Sequence, residues 1–413
     1  MARFFIVTIN YAPEPSGFAP HATQLAEYLG RAGHDVTVFT GFPFAPAWRR
    51  READRGRVAA RESSGRTTIY RLSHVIPRRP SSVPQRIAME GTFALSAFAA
   101  MLVEALRRGR PDAVLYLGAQ PAAAMASRLA GALFRRPYLV RITDLAASAA
   151  QDVGMVGRRL AGLLERFEFA AYRKAAGASV LCRSFEGALT AHGYPAQRIR
   201  VLQNPIDIEL IRPTPRTGAF RARYGIPADA FVLLHAGSMG RKQALMNVVD
   251  AASLVPGRGV CWVLVGDGEA RADLERAVRE QGVQDAVRFV PFQPEAEMAA
   301  MFADADVLLI SQISAVKDTL IPGKLLTYMA SGRPVLAAVN NASQAADLLR
   351  DADGGVLAAP DDPRALADAA LAMAAAPRER LDAWGARNRA YAEQHFDERK
   401  ILAEQETFML QAS

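Results

Sequence analysis

The chain has 413 residues, half of them apolar and 22% charged, with a formal net charge of +8. That is globular composition with length for two or three domains, and it excludes a disordered chain. Two cysteines, Cys182 and Cys261, each lie in an apolar strand-like run. They read as buried thiols of a reducing compartment, with neither a disulfide nor a metal site expected.

The positive charge is uneven. Residues 1–205 hold 28 Lys+Arg against 14 Asp+Glu, and the remainder holds 22 against 28. A basic half suits an anionic membrane surface or a phosphorylated acceptor; a solvated basic surface is the equal alternative. Nucleic acid is not expected, because no helix-turn-helix, zinc-finger or aromatic RNA-binding pattern accompanies the charge. Met1 to Ile9 is too short for a signal peptide and is followed by Asn10, Pro13, Glu14 and Pro15. No apolar run approaches the roughly 20 residues of a membrane span. The nearest runs from Phe93 to Val103 and ends at Glu104.

In chain order, strands are predicted at Phe4 to Ile9, Val36 to Thr40, Thr67 to Leu72, Ala113 to Leu117, Tyr138 to Ile142 and Ala178 to Cys182. Helical patterns fall between several of them, at Ala19 to Arg31, Gln85 to Arg107 and Pro121 to Leu133. Such alternation predicts right-handed βαβ units and a parallel sheet. After Val201 the rhythm breaks at Pro205, Pro213 and Pro215, the best linker candidate. A second alternation follows: Phe231 to Ala236, Cys261 to Val265, Val287 to Phe289, Val307 to Ile310, Pro334 to Ala338 and Gly355 to Val356. A helical tail begins at Arg378. The fold class expected is α/β, two Rossmann-like halves: residues 1–205, residues 206–385, and a C-terminal helix over 386–413 that crosses back to the first domain.

Ligands of open parallel sheets bind beyond the C-terminal ends of strands, so the loops there carry the candidate chemistry. The first loop, Asn10 to His21, holds Ser16 and Gly17 before a helix start, where free amides favour anionic or hydroxyl-rich ligands. An ordinary turn is the plainer reading. The second, Gly237-Ser238-Met-Gly-Arg241-Lys242-Gln243, pairs glycines with two cations ahead of a helix. Arg241 and Lys242 suit a diphosphate, whose charge they neutralise. Gly266-Asp267-Gly268 needs no role beyond a turn. The fourth loop runs from Lys317 through Asp318 to Gly323 and Lys324, with a helix opening near Pro322 whose first amides, at Gly323, Lys324 and Leu325, are free. Asp318 is placed to meet sugar hydroxyls. Asp304-Ala-Asp306 has the look of a metal motif, but its setting between helix and strand assigns it a structural role.

These motifs resemble the family 4 retaining glycosyltransferases, of GT-B fold, over nearly the whole chain. The resembling segments include Ser16-Gly17, Arg31-Ala-Gly-His-Asp-Val36, Asn204-Pro-Ile-Asp207, Val265-Gly-Asp-Gly268, Ala303-Asp-Ala-Asp306 and Tyr328-Met-Ala-Ser-Gly-Arg-Pro-Val335. Asn10-Tyr-Ala-Pro-Glu14, Asp144-Leu145, Asp152-Val-Gly154, Gly240-Arg-Lys-Gln243 and Pro322-Gly-Lys-Leu325 resemble the colanic-acid and O-antigen assembly branch. The resemblance implies a cytoplasmic enzyme at the inner face of the membrane. It implies transfer of sugar from a nucleotide diphosphate-sugar, UDP-sugar favoured, to a glycan or lipid-linked acceptor, with no cofactor or metal required. Lys242, Asp318 and Asp144 are then the catalytic candidates. Gly17, Ser238, Arg241, Lys242, Phe292, Gly323, Lys324, Leu325 and Thr327 are the donor-binding ones.

The chain departs from the family at three points. Thr319 and Thr327 stand where the family's E-x7-E glutamates would be, Ser238 stands where a phosphate-binding arginine is usual, and Gly118-Ala-Gln120 stands where many relatives carry a histidine. Two further readings stay open: transfer to a small soluble acceptor such as an aminocyclitol, and a GT-B-shaped binding protein without catalysis.

Overall fold

Each apolar run of the first half is short, buried on both faces and returned by a helix, so the runs stack side by side as parallel strands. In the computed structural model the residues described are 1–14, 18–45, 47–79, 82–145, 158–316 and 323–412. They divide into two compact units, Met1–Gln203 with Ile401–Ser413, and Asn204–Lys400.

The first unit carries β1 (Arg3–Val7), β2 (Asp35–Gly41), β3 (Ala59–Ser64), β4 (Thr67–Leu72), β5 (Ala113–Gly118), β6 (Tyr138–Ile142), β7 (Gly177–Val180) and β8 (Ile199–Val201). Their order is β3-β4-β2-β1-β5-β6-β7-β8. Seven strands run parallel, and β3 pairs antiparallel with β4. Strand β3 was not expected from the sequence. It reads Ala-Ala-Arg-Glu-Ser-Ser, lies almost wholly exposed, and is placed by its hairpin partner rather than by apolar burial.

Helix α1 (Ala19–Arg31) buries Ala22, Leu25, Ala26 and Leu29 against the sheet, the spacing of one helical face. Next come α2 (Val83–Arg108) and α3 (Pro121–Phe134). Helix α2 is longer than its uncharged run. By length and composition it is the one described helix apolar enough to cross a membrane, which corrects the sequence reading. Its Met89, Phe93, Ala97 and Met101 are nevertheless buried within the unit.

Helix α4 (Arg158–Tyr172) and α5 (Arg183–Ala191) complete the crossovers. The last helix of the chain (Glu398–Ala412) packs on the same unit from Ile401 onward. Glu406 there accepts from Tyr28 Oη at 2.9 Å and lies 2.8 Å from His34 Nε2, and Phe408 fills the space that a side chain at Gly177 would need.

The second unit has a six-stranded, all-parallel sheet in the order β11-β10-β9-β12-β13-β14. The strands are β9 (Phe231–Ala236), β10 (Val260–Val265), β11 (Val287–Val290), β12 (Val307–Ser311), β13 (Val335–Ala338) and β14 (Gly355–Ala358). Alternate residues of β9, β10 and β12 enter two separate cores: Val232, Leu234, Val263 and Ile310 on one face, Leu233, Trp262, Leu264 and Leu309 on the other. Both cysteines are buried and neither forms a disulfide, Cys261 in β10 and Cys182 just beyond β7.

In each unit the first strand is central. The chain builds outward on one side, then returns to the other side of the first strand. The gaps β1/β5 and β9/β12 are therefore the topological switch points, where strand ends leave a crevice.

Candidate functional site

At the β9/β12 switch point the chain leaves β9 through Gly237, Ser238, Met239 and Gly240 into a single 3-10 turn, Arg241–Gln243. The turn holds Ala244 in the left-handed region at φ 44°, and the Ser311 hydroxyl at the end of β12 donates to its carbonyl. Gly237 takes φ 135°, open to glycine, and a Cβ there would stand 3.4 Å from Lys324 Nζ. Gly266, at φ 126°, is required by contact: its Cβ would overlap the Gly237 carbonyl. Two backbone bonds join the neighbouring loops, Gly237 N to Val265 O at 2.9 Å and Met239 N to Asp267 O at 2.8 Å. The Gly266-Asp267-Gly268 segment is thus the bed on which the Gly237 loop lies.

The other wall is α10 (Gly323–Ala330; α6 to α9 are Ala219–Arg223, Leu245–Ser253, Arg271–Glu280 and Glu295–Ala303). Tyr328 is buried, and its hydroxyl takes the Ala236 amide at 2.7 Å and donates to the Ala236 carbonyl, pinning the end of β9. The amides of Gly323, Lys324 and Leu325 fall in the first turn, where no intrahelical acceptor exists.

Lys324 holds the centre. Its Nζ donates to Gln243 Oε1 at 2.8 Å and lies 3.2 Å from His235 Nε2. His235 is fully buried in β9. Its Nδ1 lies 3.3 Å from the Leu309 carbonyl, which can only accept, so the ring carries its proton on Nδ1 and presents Nε2 to the lysine. Burial first, and the lysine's charge second, hold the His235 pKa well below its ordinary value, so the ring is neutral. Burial also lowers Lys324 to about 7. Among the described residues no carboxylate bonds to this ammonium.

Beside it opens a pocket of about 200 Å³. Lys324, Gly237 and Thr327 form its polar edge; Val265, Met298, Met301, Phe302 and the exposed ring of Phe292 form its apolar wall.

The structure therefore brings together Lys324, Thr327 and Phe292 around Gly237. Leu325 is buried in the core, Gly323 is exposed at the helix start, and Ser238 is exposed on the loop. Arg241 is exposed and forms an ion pair with Glu269 at 3.7 Å. Lys242 is exposed, its carbonyl accepting from Ile313 N, and among the described residues its ammonium has no ion-pair partner. Asp144 belongs to the first unit, just past β6, where it accepts from the Leu145 amide at 2.9 Å. Gly17, Asp318 and Thr319 lie outside the described residues.

Asp304 and Asp306 are spent on structure. Asp304 accepts from the amides of Thr217, Gly218 and Phe220, and Asp306 binds Arg216, Arg221, Arg378 and the Val232 amide. Burial pushes the Asp306 pKa up, but the Val232 amide and these arginines outweigh it and leave it lowered.

Sequence reasoning missed His235 and Gln243 as a pair. A single histidine in an apolar strand reads as core, and only the fold sets it against a lysine 89 positions away.

Comparison with known proteins gives two adjacent family matches. Residues 16–205 match the model described as glycosyl transferase 4-like domain, and residues 230–376 match glycosyl transferases group 1. The putative colanic acid biosynthesis glycosyl transferase WcaI of Escherichia coli (strain K12) is 25% identical over 407 residues, 97% of this chain and 98% of that protein. The 2-deoxystreptamine glucosyltransferase of Streptomyces kanamyceticus is 28% identical over 324 residues, 76% of this chain and 79% of that protein. Among solved structures, sucrose-phosphate synthase from Thermosynechococcus elongatus has TM-score 0.77 at 20% identity, covering 100% of this chain and 99% of that one. HepE of Anabaena in complex with UDP has TM-score 0.72 at 18% identity, covering 98% and 99%. The two Rossmann-like units have the GT-B fold expected from the sequence.

Proposed function

The chain belongs to the group 1, GT4-like glycosyltransferases, and from that premise we propose that it transfers a sugar from a nucleoside diphosphate-sugar, UDP-sugar favoured, with retention of configuration. The observation that carries this reading is the Lys324 ammonium, bonded to no carboxylate among the described residues, facing Gly237 at a switch point beside an apolar pocket. A cation held at that place needs an anion to complete it, and a diphosphate supplies one.

In this reading the base enters the pocket and stacks on Phe292, and the Thr327 hydroxyl meets the ribose. The diphosphate lies on Gly237, the Lys324 ammonium and the first amides of α10. Lys242 neutralises the phosphate that leaves. Arg241, already paired with Glu269, contributes less. The acceptor oxygen attacks the anomeric carbon from the face the phosphate departs; the carbon–phosphate-oxygen bond breaks and the phosphate takes the acceptor's proton. Asp318 orients sugar hydroxyls, Asp144 the acceptor, and no metal is required.

A glycan or lipid-linked acceptor at the cytoplasmic face is favoured by the similarity to WcaI. The solvent side of α2 agrees with it: Leu95, Val103 and Leu106 are exposed between arginines, and Arg108 lines a second pocket of about 370 Å³ with Arg61 and Arg66. The similarity to the 2-deoxystreptamine enzyme keeps a small soluble acceptor as the second reading.

A thermal-shift screen with UDP, GDP, ADP and TDP tests the donor. Stabilisation by one of them, UDP first, is the expected result; indifference to all four overturns it. Slow hydrolysis of the matching nucleotide-sugar then separates an enzyme from a binding protein. Co-sedimentation with anionic but not neutral vesicles, reversed by salt, tests the membrane surface.

A further inference from the structure

His235 is the buried polar group for which the donor reading has no use. It sits in the middle of the sheet, its ring held by the Leu309 carbonyl of β12 at Nδ1, by Lys324 Nζ at Nε2, and by the backbone of Ser238. A buried imidazole that only filled space would not need a tautomer, yet this geometry selects one. The lone pair it presents is aimed at the one ammonium that lines the pocket among the described residues. Gln243 supplies a second neutral acceptor to the same Nζ. Two neutral acceptors hold a lysine in place without cancelling its charge, whereas a carboxylate would cancel it and compete with an incoming anion.

We propose that His235 is the positioning residue of the donor site: as a neutral acceptor it holds the Lys324 ammonium against Gly237 and sustains its charge for the diphosphate. This rests on the donor reading above. The consequence is linkage. Lys324 titrates near 7 before the anion arrives, and a diphosphate favours the charged amine, so binding above that pH takes up a proton.

The surrounding charges do not supply an alternative. On the turn after β9, Arg241 is paired with Glu269 and Lys242 is exposed. On the loop after β10, Asp267 caps the Gly268 amide and is exposed, as is Glu269. Past β14, Asp361 accepts from the amide of Ser314, which lies past β12. On α10 itself Tyr328 is held by Ala236 and stays protonated, its pKa raised by burial. Lys317 and Asp318 precede α10 outside the described residues.

The chain has only five lysines, Lys174, Lys242, Lys317, Lys324 and Lys400, so each amine can be followed by NMR in protein labelled at lysine Cε. Lys324→Met identifies the signal. In the wild type without nucleotide, Lys324 is expected to titrate near 7. His235→Leu, which removes the acceptor, moves that midpoint down by about one pH unit; His235→Asn, whose amide can donate to Leu309 and accept from Lys324, restores it. Calorimetry with UDP is then run between pH 7 and 9, above the terminal phosphate's own pKa of about 6. His235→Leu weakens UDP about ninefold at pH 8 and about fivefold at pH 7, whereas a purely structural defect weakens it equally at both. An unchanged midpoint in His235→Leu, or an equal loss at both pH values in a folded variant, overturns the proposal. Failure of every nucleoside diphosphate to bind, with the midpoint still moving, overturns the donor reading and leaves the coupling of His235 to Lys324 intact.

Discussion

The loops after β1 and β9 occupy the same place, each above its sheet's switch point, yet they treat charge in opposite ways. After β1 the ionised side chain is Glu14, and it is spent. It is buried, one oxygen takes the amides of Phe44 and Ala45 at 2.8 Å each, and the other takes the Asn10 side-chain amide at 2.7 Å. His21, in the first turn of α1 that follows that loop, is held neutral, burial pushing its pKa down to about 4. At the β9 site no carboxylate bonds the lysine among the described residues; Lys324 stands on the neutral His235 and Gln243 against glycine backbone. The first loop uses its charge to hold itself together. The second keeps its charge unmatched, which is what a site for an anionic ligand requires and what a loop with a structural task avoids.

The largest effect expected from this contrast is at Lys324. Lys324→Met should cost about 3 kcal/mol in the barrier to transfer, on the order of 10²-fold, with little loss of stability because the half-buried ammonium it removes bonds no carboxylate among the described residues. Turnover within a few-fold of wild type, in a variant with unchanged melting, would sink its role. Glu14→Ala should do the reverse. It strands two buried amides and should cost about 3 kcal/mol of stability in urea unfolding, measured on the first unit by local tryptophan or hydrogen-exchange signals. A variant as stable as the parent would mean the first loop is not held by that carboxylate.

A third prediction concerns pH and the same unit. Glu90 on α2 is raised to about 7, by burial first and by Glu168 second, while Arg86 opposes. A raised carboxyl keeps its full contribution below its ordinary value of 4.5 and loses it as pH rises through 7. Glu90→Gln should therefore be neutral at pH 4.5 and gain on the order of 2 kcal/mol at pH 8, read from denaturation midpoints at the two pH values. Equal gains at both would remove Glu90 as the cause.

The fourth is smaller. With threonine at position 327, the ribose meets a neutral hydroxyl, so 2′-deoxy-UDP should bind about 1 kcal/mol more weakly than UDP. A penalty of about 2 to 3 kcal/mol would require a charged partner and a different placement of the nucleotide. The smallest effect is at Arg241. Its guanidinium is exposed and paired with an exposed glutamate, so Arg241→Ala should change UDP affinity by less than about 0.5 kcal/mol. A loss as large as that of Lys324→Met would show that the turn rearranges when the diphosphate arrives.

Much of the frame was legible beforehand. Thr67–Leu72, Tyr138–Ile142 and Phe231–Ala236 have the bounds their apolar runs predict, and Ala19–Arg31 follows its helical spacing and the proline in its first turn. Strand β3 was not legible because its residues are polar and its only claim to a strand is hydrogen bonding to β4. Helix α2 was placed within two residues of its ends, Gln85 to Arg107 against Val83–Arg108, and only the length of its apolar stretch was underestimated. At the site, the Gly237 loop and the start of α10 could be found from glycine, proline and cation spacing. The pocket wall of Met298, Met301 and Phe302 could not, since methionine and phenylalanine on a helix read as ordinary core.

The sequence by itself determined two Rossmann-like units, their strand ends, and the loops from which ligand chemistry could come. Those follow from short-range period and turn chemistry, which act within a few residues. The tertiary structure alone decided how each cation is partnered. Arg241 and Lys242 are neighbours in sequence and look alike there, but one is paired with Glu269 and the other is exposed. Lys324, from a helix 81 positions beyond Gln243, arrives beside His235 because the chain crosses from β11 to the far side of β9 before forming β12. That crossing sets a buried imidazole under an amine, and burial then lowers the pKa of both. Neither effect has a local signature, because desolvation depends on what packs around a group and not on what precedes it in the chain.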